Sequence, residues 1–341
     1  MTDARPADAS RPTIYDVAQR AGVSKSLVSL VLRNAPAVSE KRRRAVLAAI
    51  SELGYRPSSA ASSLAGNRTR SIGVAIDDFE NLWFVDLLRG MRQVLDESGH
   101  NVSVADRQLN AHLGRDPVDA FLSMRVEGIV LAMETSGPAP PFGGVPVVVA
   151  GAREVVPDHA DYVANDDAEG ARLATQHLIG LGHRTIGHLT GAGGVSRLRR
   201  TSYEATMADA GLSPVVAGSG GTTEEDGYVA AGALLETCPD LTGIFAANDV
   251  MLLGALAALR ERRLSVPDDV SVVGYDNSPL AASRFLALTT VDQRSADVGV
   301  HAARAILARH RDPDREPSRV LLSPTLVRRA STSTPRAAPG A

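Results

Sequence analysis

The stretch from Thr13 to Leu53 limits what this chain can fold into more than any other. Ile14, Val17, Ala18 and Ala21 recur at helical spacing and give a first helix one apolar face. Thr13 and Asp16, three residues apart, stand as a capping box at its start. Gly22 permits a sharp turn, because glycine alone enters positive φ at little cost. Ser24 is placed to cap a second helix, whose Val28, Val31 and Leu32 point at the first. Helix, short glycine turn, helix is the helix-turn-helix pattern, although any small helical hairpin shares it. A third helix is predicted from about Ser39 to Leu53, with Val46, Leu47, Ile50 and Leu53 as its buried stripe and Gly54 as its stop. Its first turns hold Lys41, Arg42, Arg43 and Arg44. Such a charge run is usually a solvated face; beside a helix-turn-helix it reads as phosphate contact.

Charge separates this region from the rest. The 341 residues suffice for two or three domains and have a net charge of −3. Residues 1–70 hold 12 Lys and Arg against 5 Asp and Glu, and the remainder holds 24 against 34. A basic head on an acidic body fits nucleic-acid binding by one end. Cys238 is the only cysteine, so no internal disulfide forms and a reducing compartment is expected. The first residues, MTDARPADASRP, do not read as a signal peptide, and no run nears the ~18 apolar residues of a membrane span. A cytoplasmic, nucleoid-associated protein without a membrane partner is the expectation. Residues 1–12 and 332–341, rich in Pro, Ala, Ser and Thr, are expected to be disordered tails.

Beyond residue 70, short apolar runs alternate with helical patterns. Strands are predicted at 72–76, 102–105, 128–132, 145–150, 162–164, 185–189, 243–246, 270–275 and 289–291. Helices are predicted at 83–98, 117–124, 167–181, 197–210, 224–237, 249–262 and 295–309. Continuous apolar strands between helices indicate α/β structure with parallel sheets covered on both faces. Two doubly wound units suit the length better than one, with a ligand where their strand ends face each other.

Several separate motifs in order, TIYDVA, AGVS, Val28-Ser29, Val38-Ser39, GYRP at 54–57 and LAG at 64–66, closely resemble the headpiece of the LacI (lactose repressor) family of bacterial transcription regulators. The body resembles the same family's sensor, which is like a periplasmic sugar-binding protein, through SIGVAI, HLIGLGHRTIGHLTG, FAANDVMLLGAL, VPDDVSVVGYDN and LTTVDQ. The resemblance spans roughly residues 13–329. It implies a helix-turn-helix domain over 13–57, a hinge helix over 58–66 and a ligand-binding and dimerisation domain over 67–331. The last divides into one subdomain of 71–165 with 294–322 and another of 166–293 with 323–331.

The resemblance further implies that the second helix reads half of an operator in double-stranded DNA and that Leu64 wedges into the minor groove. An apolar wedge unstacks a base step and kinks the duplex. The expected DNA contacts are Thr13, Tyr15, Ser24, Lys25, Ser26, Ser29, Leu30, Arg33, Arg42, Tyr55, Ala61 and Leu64. Many relatives have Arg in the position of Leu30, which can touch only an apolar group such as a thymine methyl. Lys25 and Ser26 are therefore expected to supply most of the direct readout. For the effector, the family's motifs fall on Arg199, Asn248 and Asp276, which together supply fixed donors and acceptors for a polyhydroxy ligand. Ser202 departs from the Gly usual in relatives. Trp83, the only tryptophan, could stack on a sugar or sit in the subdomain core, and Asp77 ends the first body strand. Asn248 reads equally well as a helix cap.

No cofactor and no metal are called for, and His177, His183 and His188 read as structural. The expected function is a ligand-responsive repressor of a catabolic operon that binds a pseudo-palindromic operator as a dimer and is released, or recruited, by a small effector, a sugar. Two other classes compete: a transport-type binding protein, and an enzyme on the same scaffold such as a sugar or nucleoside hydrolase. The head argues against the first. The absence of a Gly-rich phosphate loop, a GxSxG elbow and an HExxH argues against the second. After Arg329 the sequence shows no apolar heptad that would build a tetramer.

Overall fold

A computed structural model describes residues 12–32, 35–55, 69–110, 114, 116–135, 141–218 and 220–336. They form two compact units, divided between Thr69 and Arg70.

In the first unit, α1 (Ile14–Ala21), α2 (Lys25–Leu32) and α3 (Glu40–Leu53) pack around Val17, Val28, Val31, Val38, Val46 and Ala49. The capping box forms: Thr13 N donates to Asp16 Oδ2 over 2.7 Å, and Asp16 N donates to Thr13 Oγ1. Gly22 takes φ +63° and ends α1. Ser24 Oγ accepts from Leu27 N and opens α2. Of the predicted stripe of α3, Val46, Ile50 and Leu53 pack in this core, and Leu47 does not. Ala49 is buried in its place, and Leu47 is 51% exposed. Leu32, expected to face α1, is 37% exposed. The hinge segment 58–66 lies outside the described residues.

The second unit holds two six-stranded sheets. The first contains β1 (Ser71–Ile76), β2 (Asn101–Asp106), β3 (Gly128–Ala132), β4 (Val147–Ala150), β5 (Asp161–Asn165) and β11 (Arg319–Leu322), in the order β11-β5-β4-β3-β1-β2, all parallel. The second contains β6 (Ile186–Leu189), β7 (Val215–Ala217), β8 (Gly243–Ala246), β9 (Ser271–Tyr275), β10 (Thr289–Asp292) and β12 (Thr325–Val327), in the order β12-β10-β9-β8-β6-β7, with β12 antiparallel. The chain passes between the sheets after β5, β10 and β11.

Helices cover the faces: α4 (Trp83–Ser98), the short α5 (Arg107–Asn110), α6 (Pro117–Ser123), α7 (Asp167–Gly180), α8 (Gly194–Asp209), α9 (Glu224–Thr237), α10 (Asp249–Glu261) and α11 (Ser295–Arg311). Each sheet therefore has an apolar core on each side, such as Leu87, Met91, Val298 and Ile306 on one face of the first and Val118, Phe121 and Phe142 on the other. Two helix pairs touch backbone to backbone. A Cβ added at Gly254 of α10 would meet Glu224 O of α9 at 1.9 Å, and one at Gly299 of α11 would meet Leu87 O of α4 at 2.0 Å.

The order of strands reverses between β1 and β3 in one sheet and between β6 and β8 in the other. In open α/β sheets such reversals open crevices at the carboxyl ends of the strands. The C-terminal segment corrects an expectation. Residues 332–336, assigned from composition to a disordered tail, are held to the second sheet: Ser333 O accepts from Ser271 Oγ at 3.1 Å, and Ser333 N donates back at 3.0 Å.

Candidate functional site: a DNA-reading head and a cleft between two sheets

In the head, Thr13, Ser24, Lys25, Ser26, Leu30 and Arg42 are exposed, and Tyr15 is 63% exposed. Lys25 Nζ donates to Tyr15 Oη over 3.2 Å and sits 4.9 Å from its ring centroid, so the two side chains hold each other at the start of α2. Ser24 caps α2 with its hydroxyl, and Ser29 is half-buried. Tyr55 differs from the others because its ring is packed in the core of the head. Arg43, from the basic run, donates to Ala35 O and so fixes the segment before α3. Arg33, Ala61 and Leu64 lie outside the described residues.

In the body, a cleft of about 400 Å³ opens where the carboxyl ends of the two sheets face each other. Asp77, Trp83, Arg199, Asn248 and Asp276 all line it. Asp276 follows β9 at φ +112°, a backbone region costly for a side chain, and it is buried. Burial raises its carboxyl well above the usual range. Gln293 Nε2 donates to its Oδ1, and Arg199 Nη1 stands 4.0 Å away. Arg199 is buried, pairs with Asp167 at 2.7 Å, donates to Ala247 O and lies 3.5 Å over the ring of Tyr275. Asn248 is the cap of α10: its Oδ1 accepts from Met251 N at 2.7 Å. Its Nδ2 donates to Thr222 O, which ties the 220–223 loop to the cleft wall.

Asp77 pairs with Arg107 at 3.0 Å and accepts from Glu134 N, and burial raises its carboxyl. Trp83 packs edge-on against Phe84, while its Nε1 is buried without a hydrogen-bond partner. Sequence reading missed Arg153 and Glu134. Arg153 donates to Ala132 O at 2.8 Å and faces Trp83, and its buried Nε also has no partner. Glu134 Oε1 accepts from Gly194 N at 3.0 Å, so this carboxylate after β3 binds the start of α8 across the cleft. Both residues follow apolar strands of the first sheet. The strand-end rule that selected Asn248 and Asp276 would have found them.

The histidines keep the structural roles read from sequence. His188 is fully buried and stacked on Phe245, and burial lowers its pKa to about 3. His183 bonds Thr242 and Ser333 O, and His177 bonds Thr332.

A basic helix-turn-helix joined to a two-sheet sensor defines a class: ligand-responsive DNA-binding regulators. The profile described as "Bacterial regulatory proteins, lacI family" matches residues 13–58, and that of the "Periplasmic binding protein-like domain" matches 175–332. The chain is similar to the HTH-type transcriptional repressor PurR of Pasteurella multocida, 33% identical over 334 residues, covering 94% of this chain and 98% of that protein. A LacI-family transcriptional regulatory protein from Corynebacterium glutamicum is 41% identical with a TM-score of 0.70, over 79% of this chain and all of the other. The lac repressor dimer bound to operator and the anti-inducer ONPF is 28% identical with a TM-score of 0.76, over 95% of this chain and all of the other.

The chain belongs to the LacI family of bacterial regulatory proteins. It is a ligand-responsive transcriptional repressor and not an enzyme. Among the described residues no helix is long and apolar enough to cross a membrane.

Proposed function

We propose that the protein represses a catabolic operon by binding a pseudo-palindromic operator as a homodimer, and that a neutral polyhydroxylated molecule, a sugar, sets its affinity for DNA. The effector reading rests on one observation. Trp83 Nε1 and Arg153 Nε are buried without acceptors in one cleft, which Asp276 also lines. Buried donors of this kind stabilise a ligand that brings acceptor oxygens.

The charges argue for a neutral one. Arg107 and Arg199 each pair with a carboxylate, and Asp77 and Glu134 lie near Arg153. A phosphate would have to compete with those acids. A purine wants flat apolar faces on both sides, whereas Trp83 and Phe84 meet edge-on and the face of Tyr275 is covered by Arg199. Arg199, Asp276, Asp77 and Trp83 are assigned to the effector. Asn248 shapes the wall and touches the effector through its amide edge.

On the DNA side, Lys25, Ser26 and Leu30 read bases, Arg42 meets phosphate, and Thr13, Tyr15, Ser24, Ser29, Arg33 and Tyr55 position the head. Leu64 enters the minor groove at the operator centre, and Ala61 is a further DNA contact. Support for the dimer comes from the similar lac repressor, a dimer on its operator. Two-fold symmetry in the protein is then mirrored in the site.

A thermal-shift screen of the full chain against mono- and disaccharides, purines and nucleosides tests the effector. A ligand at about 100 times its Kd adds about 2.7 kcal/mol of stability. A sugar hit that disappears in Asp276→Asn is the expected result. A hit confined to purines or nucleosides would replace the sugar assignment.

A further inference from the structure

We propose that His100, Glu127 and His310 form a site for a divalent transition-metal ion, of the zinc or cobalt class. The site lies outside the effector cleft, at the edge of the first sheet where the chain enters the body. One nitrogen from each imidazole and a carboxylate oxygen of Glu127 lie within 4.8 Å of one another. The three residues come from separate places in the sequence: the turn before β2, the residue before β3 and the last turn of α11. The fold, and not local sequence, brings them together.

Hydrogen bonds fix what these atoms can do. Ser98 Oγ donates its one proton to Leu95 O at 3.0 Å, so it can only accept from His100 Nδ1–H, 2.8 Å away. A neutral His100 then has its lone pair on Nε2. That nitrogen stands 3.4 Å from Glu127 Oε2, with both side chains mostly buried. Both atoms can therefore ligate the same ion.

His310 supplies the third ligand. Its Nε2 donates to the Glu127 carbonyl, so its own lone pair is on Nδ1. The two rings lie 5.9 Å apart. A single divalent ion answers both nitrogens and the carboxylate. Two imidazoles and one carboxylate are a donor set for zinc-class ions, with an open position for water; calcium and magnesium prefer oxygen alone. The bonds from Ser98 and from the Glu127 carbonyl are the outer-shell contacts that such ligands usually have.

Place gives the site its interest. The other oxygen of the same carboxylate, Glu127 Oε1, accepts from Arg70 N at 2.8 Å. Arg70 is the first residue of the body after the linker. An ion on Glu127 would therefore hold the residue from which the chain leaves for its DNA-binding head.

The test is a Co²⁺ titration of the full-length protein. Visible ligand-field bands should saturate at one ion per chain, and Zn²⁺ but not Ca²⁺ should bleach them. Proton NMR of the Co²⁺ form should show two shifted imidazole N–H signals that vanish in D₂O, from His100 Nδ1–H and His310 Nε2–H. His310→Gln should weaken Co²⁺ binding roughly 100-fold, and Ser98→Ala about 10-fold or more, as expected for an outer-shell contact. No ligand-field bands in the wild-type protein, or bands unchanged in His310→Gln, would overturn the site. The NMR arm decides the matter even if a variant fails to fold.

Discussion

Asp249 and Asp276 are two carboxyls that this protein holds out of water for different ends. Asp276 faces the cleft. Asp249 lies behind it, where burial lifts its pKa to about 6 against the bonds it accepts from Thr290 Oγ1 at 2.7 Å and Ser278 N at 2.8 Å. The folded state thus holds this proton more tightly than the unfolded chain, whose aspartates titrate near about 3.9. Its contribution to stability is complete below that pH and is lost as pH rises through the folded value. Asp249→Asn keeps the shape and removes the charge: Oδ1 can accept from Ser278 N while Nδ2 donates to Thr290 Oγ1. The variant's gain over wild type should be about 2 kcal/mol larger at pH 8 than at pH 4.5. Equal melting shifts at both pH values would show that Asp249 is not protonated on folding.

Lys25 presents a second residue-scale question. Because its Nζ already rests on Tyr15, reading a base requires it to leave that ring or bring the tyrosine along. Lys25→Ala should therefore weaken operator binding by about 1–3 kcal/mol more than it weakens random DNA. Equal losses on both would make it a phosphate contact.

At the scale of elements, helix contacts without side chains set the tightest tolerances. α9 and α10 approach so closely that Gly254 has the backbone of Glu224 and Tyr228 where a Cβ would go. Gly254→Ala should cost about 3 kcal/mol or more, because rigid backbone must move. Gly180, at the end of α7, has open space around it, and Gly180→Ala should be neutral or gain up to about 1 kcal/mol. Similar melting shifts for the two would show that the helices can spread.

The same scale explains what the sequence disclosed. Buried strands such as Gly128–Ala132 and Gly243–Ala246 are continuous apolar runs, and their predicted limits coincide with the structure. Edge strands are harder. Arg319–Leu322 alternates exposed and buried positions over only four residues, and Val215–Ala217 and Thr325–Val327 span three each, too short for a period to show. In the cleft, Arg199, Asn248 and Asp276 were legible because family motifs fall on them. Glu134 and Arg153 carried no motif and needed the strand-end rule. The bonds at residues 332–336 were hidden because backbone carbonyls such as Ser333 O leave no mark in composition.

For the whole molecule, regulation requires that the effector distinguish two arrangements of the body, and the shift cannot exceed that differential affinity. Contacts across the cleft mark one arrangement. Glu134 Oε1 accepts from Gly194 N, Asn165 Nδ2 donates to Tyr275 Oη at 3.1 Å, and Arg197 pairs with Glu154 at 2.5 Å. The last pair is largely solvent-exposed and contributes little. Glu134 is different: its other oxygen accepts from Glu154 N, so one carboxylate joins both walls. Glu134→Ala should weaken an effector that closes the cleft by about 5- to 30-fold, the loss of one charge-assisted bridge. That loss alone does not separate a bridge from a simple ligand contact; operator does. A ligand contact would lower effector affinity by one factor with and without operator. A bridge that sets the two-state balance would also change the ratio between those affinities. By linkage, the same ratio must appear in operator affinity measured with and without effector. Fluorescence anisotropy on labelled operator and calorimetry on the effector close that cycle. An unchanged ratio would leave Glu134 as a binding residue only.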